Sequence, residues 1–190
     1  MWDADYLIME CYVDMVELII APYGDVSDVV LQHLAEDLAL QGYAVYRHEP
    51  LPLMMKAYNY ERRQYRADVL LNGLKDLRGE RVLGVINADI YVYVLDYIKG
   101  FADLPGRMAL ISLARLQSQP ELLRGRAEKL AMHELGHTCG LEHCLNPVCV
   151  MHAATEMSDI DLSGPAICPL CQSVQRERQA HYAKLFSPVV

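Results

Sequence analysis

Eleven residues carry most of the chemistry this chain can do. In HELGHTCGLEH, positions 133–143, His133 and His137 stand four residues apart. On a helix that spacing puts both imidazoles on one face about a turn apart, where two neutral ring nitrogens bind Zn²⁺ well. Glu134 sits beside the first of them and can reach a zinc-activated water without binding the metal itself. A glycine accepts the left-handed backbone that stops a helix, so Gly140 lets the chain turn back and bring His143 round as a third ligand. Three protein ligands leave a fourth position open, the arrangement of a catalytic zinc. The role expected of Glu134 is general base toward that water.

The cysteines supply a second pattern. Cys144 and Cys149 enclose four residues, and Cys168 and Cys171 enclose two in CPLC. Two short-spaced pairs separated by a loop read as a closed, four-cysteine structural zinc site, with a metal-free reduced cluster and a redox-active CPLC as the alternatives. The expected complement is therefore two zinc ions per chain, one catalytic and one structural. His143 is bonded directly to Cys144, so a structural zinc would anchor the loop that carries the third histidine. Cys139 and Cys11 are expected to be buried apolar fillers. His152 follows Met151 and could approach the cleft, with a solvent-facing place the expectation, and His33, His48 and His181 lack ligand spacing.

The elements that must hold these residues follow from periodicity. Residues 15–24 read as a strand closed by a Pro/Gly turn, and 25–42 as an amphipathic helix capped by Asp25 or Ser27 and ended by Gly42. Residues 43–49 alternate like a strand, 64–79 carry a second helical pattern, and 81–92 and 107–116 read as buried strands. A helix opened by Pro120 runs to Gly140, and a last helical stretch follows near 173–186. The order predicts an α/β (α+β) fold: a mixed, largely parallel sheet with helices against it, an active-site helix, and a small zinc-stabilised C-terminal part. The expected organisation is one catalytic domain over 1–190, divided into a sheet/helix subdomain (1–140) and a C-terminal subdomain (141–190).

Composition narrows the classes. With 53% hydrophobic and 22% charged residues the chain is globular rather than disordered. A formal charge of −8 argues against nucleic-acid or anionic-membrane partners, because phosphate binding needs a basic footprint. The N-terminal MWDADYLIMECYVDM is not a signal peptide, and no run approaches the roughly 18 apolar residues of a membrane helix. The expectation is a cytoplasmic protein whose clustered thiols stay reduced for metal.

With those residues in place the chain resembles the metzincin metallopeptidases in HELGHTCGLEH, and the archaemetzincin branch in the CLNPVCVM and CPLC that follow. The resemblance implies that Met151 forms the Met-turn under the catalytic zinc, and that the reaction is hydrolysis of a peptide bond in a peptide or unfolded protein. A catalytically silent, zinc-stabilised peptide-binding module is the alternative. An extended peptide would pair with an exposed sheet edge, for which the strand at 107–116 is the candidate. Tyr91, Tyr93, Tyr97 and Tyr182 are possible hydroxyl donors to the transition state, with nothing to choose among them. RRQY at 62–65 is similar to a family stretch and receives no role.

Overall fold

The computed structural model describes residues 15–116 and 118–186, with side chains as far as Arg178. Cys11, and the side chains of His181 and Tyr182, lie outside the described residues. The main sheet has five strands in the order β2-β1-β5-β9-β8, built from β1 (Val16–Tyr23), β2 (Tyr43–Arg47), β5 (Arg81–Ile86), β9 (Met108–Ser112) and β8 (Gly100–Ala102). The first four run parallel and β8 is antiparallel to β9. A second sheet orders its short strands β3 (Tyr58–Asn59), β4 (Gln64–Arg66), β6 (Ile90–Val92) and β7 (Leu95–Ile98).

Alternation along β1 explains why the main sheet is covered on both faces. Leu18 and Ile20 join Leu83, Val85, Ala109 and Ile111 in one core, against helices α1 (Asp28–Leu40) and α3 (Pro120–Thr138). Ala21 and Tyr23 join Val82, Ile86 and Leu110 on the other face, against α2 (Ala67–Gly73). Helix α1 turns Leu31, Leu34 and Leu38 inward, and each such buried leucine is worth on the order of 1.5–3 kcal/mol. Helix α3 buries Ala127, Leu130, Ala131, Glu134, Leu135 and Thr138, so the stripe that docks it on the sheet also takes Glu134 inside. Arg124 of α3 reaches Asp37 of α1 at 2.8 Å.

Three sequence expectations are corrected. The helical pattern of 64–79 holds only over α2, because Gln64–Arg66 are drawn into the second sheet beside β6, and Gly73 lies where a Cβ would strike Met54 and the Tyr23 hydroxyl. The apolar run 81–92 is not one strand: it leaves the main sheet after Ile86 and resumes in the second sheet at Ile90. The strand within 107–116 is not an edge, because Gly100, Phe101 and Ala102 pair with Ile111, Leu110 and Ala109; β8 is the edge instead. Helix α4 (Met157–Leu162), unforeseen, is started by a capping box between Glu156 and Asp159. The last helix, α5 (Pro169–Phe186), begins earlier than expected, inside CPLC. Among the described residues no helix is long and apolar enough to cross a membrane.

Candidate active site

Helix α3 carries His133, Glu134 and His137 and ends where the motif requires. Gly140 takes φ +83°, its N–H donates to His137 O at 2.8 Å, and Leu141 N–H donates to Gly136 O at 3.1 Å. Those are the two backbone bonds of a Schellman ending, which only a left-handed residue closes without strain. The reversal brings His143 beside the other two rings, with centroids 5.3 Å from His133 and 5.0 Å from His137. One ring nitrogen from each histidine lies within 4.8 Å of the others.

Backbone carbonyls orient two of the rings. His133 Nδ1 donates to Val150 O at 2.7 Å, and His137 Nδ1 donates to Leu141 O at 2.7 Å. Each Nε2 then presents a lone pair, and the two Nε2 atoms face each other at 3.1 Å. Two lone pairs so close repel unless a cation sits between them. Tetrahedral zinc at about 2.05 Å from each nitrogen would separate them by about 3.3 Å, so the donor set fits the ion. Burial pushes His133 down to about 4 and lowers His137, which keeps both rings neutral at pH 7 as metal binding requires.

Glu134 is buried, and burial alone pushes its carboxyl up to about 8. A Cβ on Gly100 would collide with its carboxylate, so the bare backbone of β8 is what gives this side chain room. Met151 is fully buried beneath α3, and a Cβ on Gly136 would strike its sulfur. The methionine therefore presses on the helix backbone between the two histidines it carries.

The four cysteines form a separate cluster behind this centre. Their sulfurs lie within 4.8 Å of one another, with Cys144 to Cys168 and Cys149 to Cys171 each 3.8 Å apart. Tetrahedral zinc with bonds of about 2.3 Å demands sulfur separations of about 3.8 Å. All four are free thiols, and backbone amides of Asn146 and Cys168 donate to Cys144 Sγ and Cys149 Sγ. Amides turned toward sulfur favour thiolates. The Cys171 amide helps draw Cys168 down to about 7, while burial pushes Cys149 and Cys171 up, so without a cation the buried pair stays protonated. A small core of Leu141, Val150 and Met151 packs against the buried Cys149 and Cys171, and Cys144 N–H donates to Met151 O at 2.8 Å.

A cleft of about 570 Å³ opens beside Glu134, His133 and His143. One side is residues 95–100, spanning β7 to β8, and another is Val150 and residues 152–155 with Ile160. Of the tyrosines considered, Tyr97 lines it; Tyr91 is buried under Arg62 and Tyr93 lies exposed beneath Arg66. His152 also lines the cleft, with Nδ1 donating to Cys144 O at 3.0 Å, where solvent exposure had been expected. Cys139 is half-buried at the end of α3, 3.9 Å from the Arg81 guanidinium, rather than fully inside.

The RRQY stretch acquires a structural part here. Gln64 donates to Asp89 Oδ2 at 2.8 Å and to Asp96 O at 2.9 Å. Asp89 takes a bidentate pair of bonds from Arg115 at 2.7 Å, and that guanidinium lies 3.7 Å from the Tyr97 ring centroid. Segments far apart in sequence thus fix the outer cleft wall. Nothing in their spacing could have revealed it.

Comparison with known proteins gives one consistent outcome. The family pattern described as Peptidase family M54 matches residues 23–176. An archaemetzincin from Pyrococcus abyssi is 40% identical over 172 residues, covering 81% of this chain and 91% of its own length. One from Methanocaldococcus jannaschii is 36% identical over 174 residues, covering 86% of this chain and 95% of its own. The crystal structure of an archaemetzincin from Methanopyrus kandleri superposes with a TM-score of 0.79 at 31% identity, covering 87% of this chain and 96% of that one.

Proposed function

The chain belongs to peptidase family M54, a family of zinc metallopeptidases, and we propose that it hydrolyses peptide bonds with Glu134 as general base, His133, His137 and His143 as ligands of a catalytic zinc, and Cys144, Cys149, Cys168 and Cys171 as ligands of a structural one. The observation that carries this reading is the pair of carbonyl-tied imidazoles with facing Nε2 atoms, next to a buried carboxylate on an open cleft. A zinc ion in the histidine set supplies Lewis-acid polarisation of the scissile carbonyl and makes water acidic enough to be deprotonated near neutral pH.

The chain's own residues do the rest. Glu134 accepts the proton of the attacking water and hands it to the departing amine. Its pKa is raised by burial, and a divalent charge alongside would draw it back toward an ionised carboxylate. The edge strand β8 supports an extended peptide, and Gly100 in it leaves the Glu134 carboxylate room against the strand backbone. Met151 holds α3 from below. The single catalytic unit spans both sides of residue 140, since His143 comes from beyond the helix. Thiolate ligands for a structural zinc support a reducing, cytoplasmic setting.

A buried carboxylate facing a cleft costs stability and has no use in a module that only binds peptide, which weighs against the silent alternative. Cleavage of a diverse peptide library by zinc-loaded protein and by Glu134→Gln tests the assignment. The variant is expected to keep both zinc ions and its melting temperature while cleavage falls about 10²- to 10⁴-fold. Equal cleavage by both proteins would remove Glu134 from the mechanism.

A further inference from the structure

We propose that the cleft beside Glu134 selects a substrate carboxylate next to the scissile bond, received by the ammonium groups of Lys99 and Lys129. This rests on the peptidase reading above and names the substrate class for it. Both lysines line the cleft, Lys99 from the wall between β7 and β8, Lys129 from α3 one turn before His133.

Each ammonium is held by main-chain oxygens. Lys99 Nζ donates to Ala154 O at 3.3 Å and Thr155 O at 3.1 Å, and Lys129 Nζ donates to Ile160 O at 2.9 Å and Asp161 O at 3.1 Å. Carbonyls accept hydrogen bonds without neutralising charge, and each ammonium keeps a third donor. Among the described residues neither lysine has a carboxylate within ion-pair distance.

The nearby acids, Glu156 and Asp159 for Lys99 and Asp161 for Lys129, offset part of the charge through space, but their hydrogen bonds are made elsewhere. Asp159 accepts from Thr155 N, Thr155 Oγ1 and Glu156 N, and Glu156 completes the capping box of α4. Asp161 is held by Arg126 at 2.7 and 2.6 Å. Asp96 lines the same cleft, but its side chain is 98% exposed and turned to Arg62 at 3.6 Å. Arg115 adds a further positive charge near Lys99.

Burial lowers the Lys99 pKa, the mark of a cation losing hydration without full compensation. A fold keeps such a charge at a cost, and an anion arriving in the cleft recovers it. Leu130, Val150 and Ile160 line the same cleft, apolar side chains that suit the methylene stem of an acidic residue.

The shared chemistry is a carboxylate, from a glutamate or aspartate side chain or from a substrate C-terminus. Peptides that place Glu or Gln beside the cleaved bond, each with a free or an amidated C-terminus, separate the two sources. Zinc-loaded protein is expected to favour one carboxylate-bearing set by about 10- to 100-fold in kcat/KM over its neutral isostere. Lys99→Met should collapse that ratio to within about threefold and Lys99→Arg should restore most of it, with Lys99→Glu inverting it toward basic residues. Lys129→Met, which leaves the β7–β8 wall intact, should lower the same ratio.

Binding of the same fluorescent peptides to zinc-loaded Glu134→Gln protein gives a readout without hydrolysis. Cleavage with no carboxylate preference, or with a preference that survives both methionine variants, overturns the proposal and leaves the peptidase reading intact. Absence of cleavage together with Lys99-dependent binding of carboxylate peptides overturns hydrolysis and supports the carboxylate site. Absence of both overturns the two together.

Discussion

The two candidate ligand clusters adjoin in sequence, the histidine set ending at His143 and the cysteine set beginning at Cys144, yet they are built on opposite plans. The histidine set takes two ligands from one face of α3 and a third, exposed, from the loop beyond it, and it opens on a cleft. The cysteine set draws on two loops and the first turn of α5, buries two of its four sulfurs in a small apolar core, and turns backbone amides toward them. Four ligands close a tetrahedron; three leave it open for chemistry. The open site is therefore the one expected to lose metal readily, and the closed site the one that holds the loop on which the open site depends. Each of the following perturbations either sharpens that division or breaks it.

Removal of one closed-site ligand should have the largest effect. In Cys144→Ala the proposed structural zinc would lose a ligand beside His143, and the Cys144–Met151 and Cys144–His152 contacts would lose their anchor. Structural zinc binding is worth roughly 10 kcal/mol or more in small zinc domains, so a loss of several kcal/mol in stability is expected. Histidine-site zinc should weaken along with it. A variant with one fewer zinc, a native melting temperature and full cleavage would break the proposed dependence.

A smaller effect is expected from below the open site. Gly136→Ala forces a methyl into the Met151 sulfur, an overpacking cost of about 1–3 kcal/mol that exceeds the roughly 1 kcal/mol gained in helix propensity. Zinc affinity should drop at the histidines and stay unchanged at the cysteines, as read by metal content after dialysis against a weak chelator. Equal losses at both sites would mean that the two are one cooperative unit rather than an open site resting on a closed one.

The smallest effect is expected at the outer cleft wall. Arg115 holds the Asp89 carboxyl below the usual carboxylate range. A folded-state pKa that is lowered adds stability above the unfolded value of roughly 4, and that stability fades as pH falls through the folded value. Asp89→Asn should therefore cost about 1 kcal/mol at pH 7, already reduced for the partly exposed pair, and progressively less in acid. KM should rise more than kcat falls, because the lost bonds position the Tyr97 wall and not Glu134. A change in kcat alone would contradict that placement.

Residues that act through spacing were readable from the chain. His133 and His137 share a helical face, Gly140 turns left-handed as its position demanded, and the four cysteines converge with no disulfide. Residues that act through tertiary pairing were not. The segment 90–102 holds three short strands divided between two sheets, too brief to show a period, and β8 among them takes the edge that seemed to belong to β9. Gln64, Asp89 and Arg115 meet only because β4 and β6 pair. Lys99 and Lys129 carry no spacing signal, and only the folded cleft sets them facing carbonyls. Helix α4 had a legible start in Glu156 and Asp159, three residues apart, but a capping acid in place of Ser or Thr is an easily missed signal.

Stepwise chelation, with zinc content, peptide cleavage and melting temperature read from the same samples, tests the division between the sites most directly. The first zinc to leave is expected to take all cleavage with it and change the melting temperature by no more than about 2 °C, and the second to unfold the C-terminal part. Cleavage that persists until the second zinc departs, or a melting transition that falls with the first, would contradict the assignment of an open catalytic centre supported by a closed structural one.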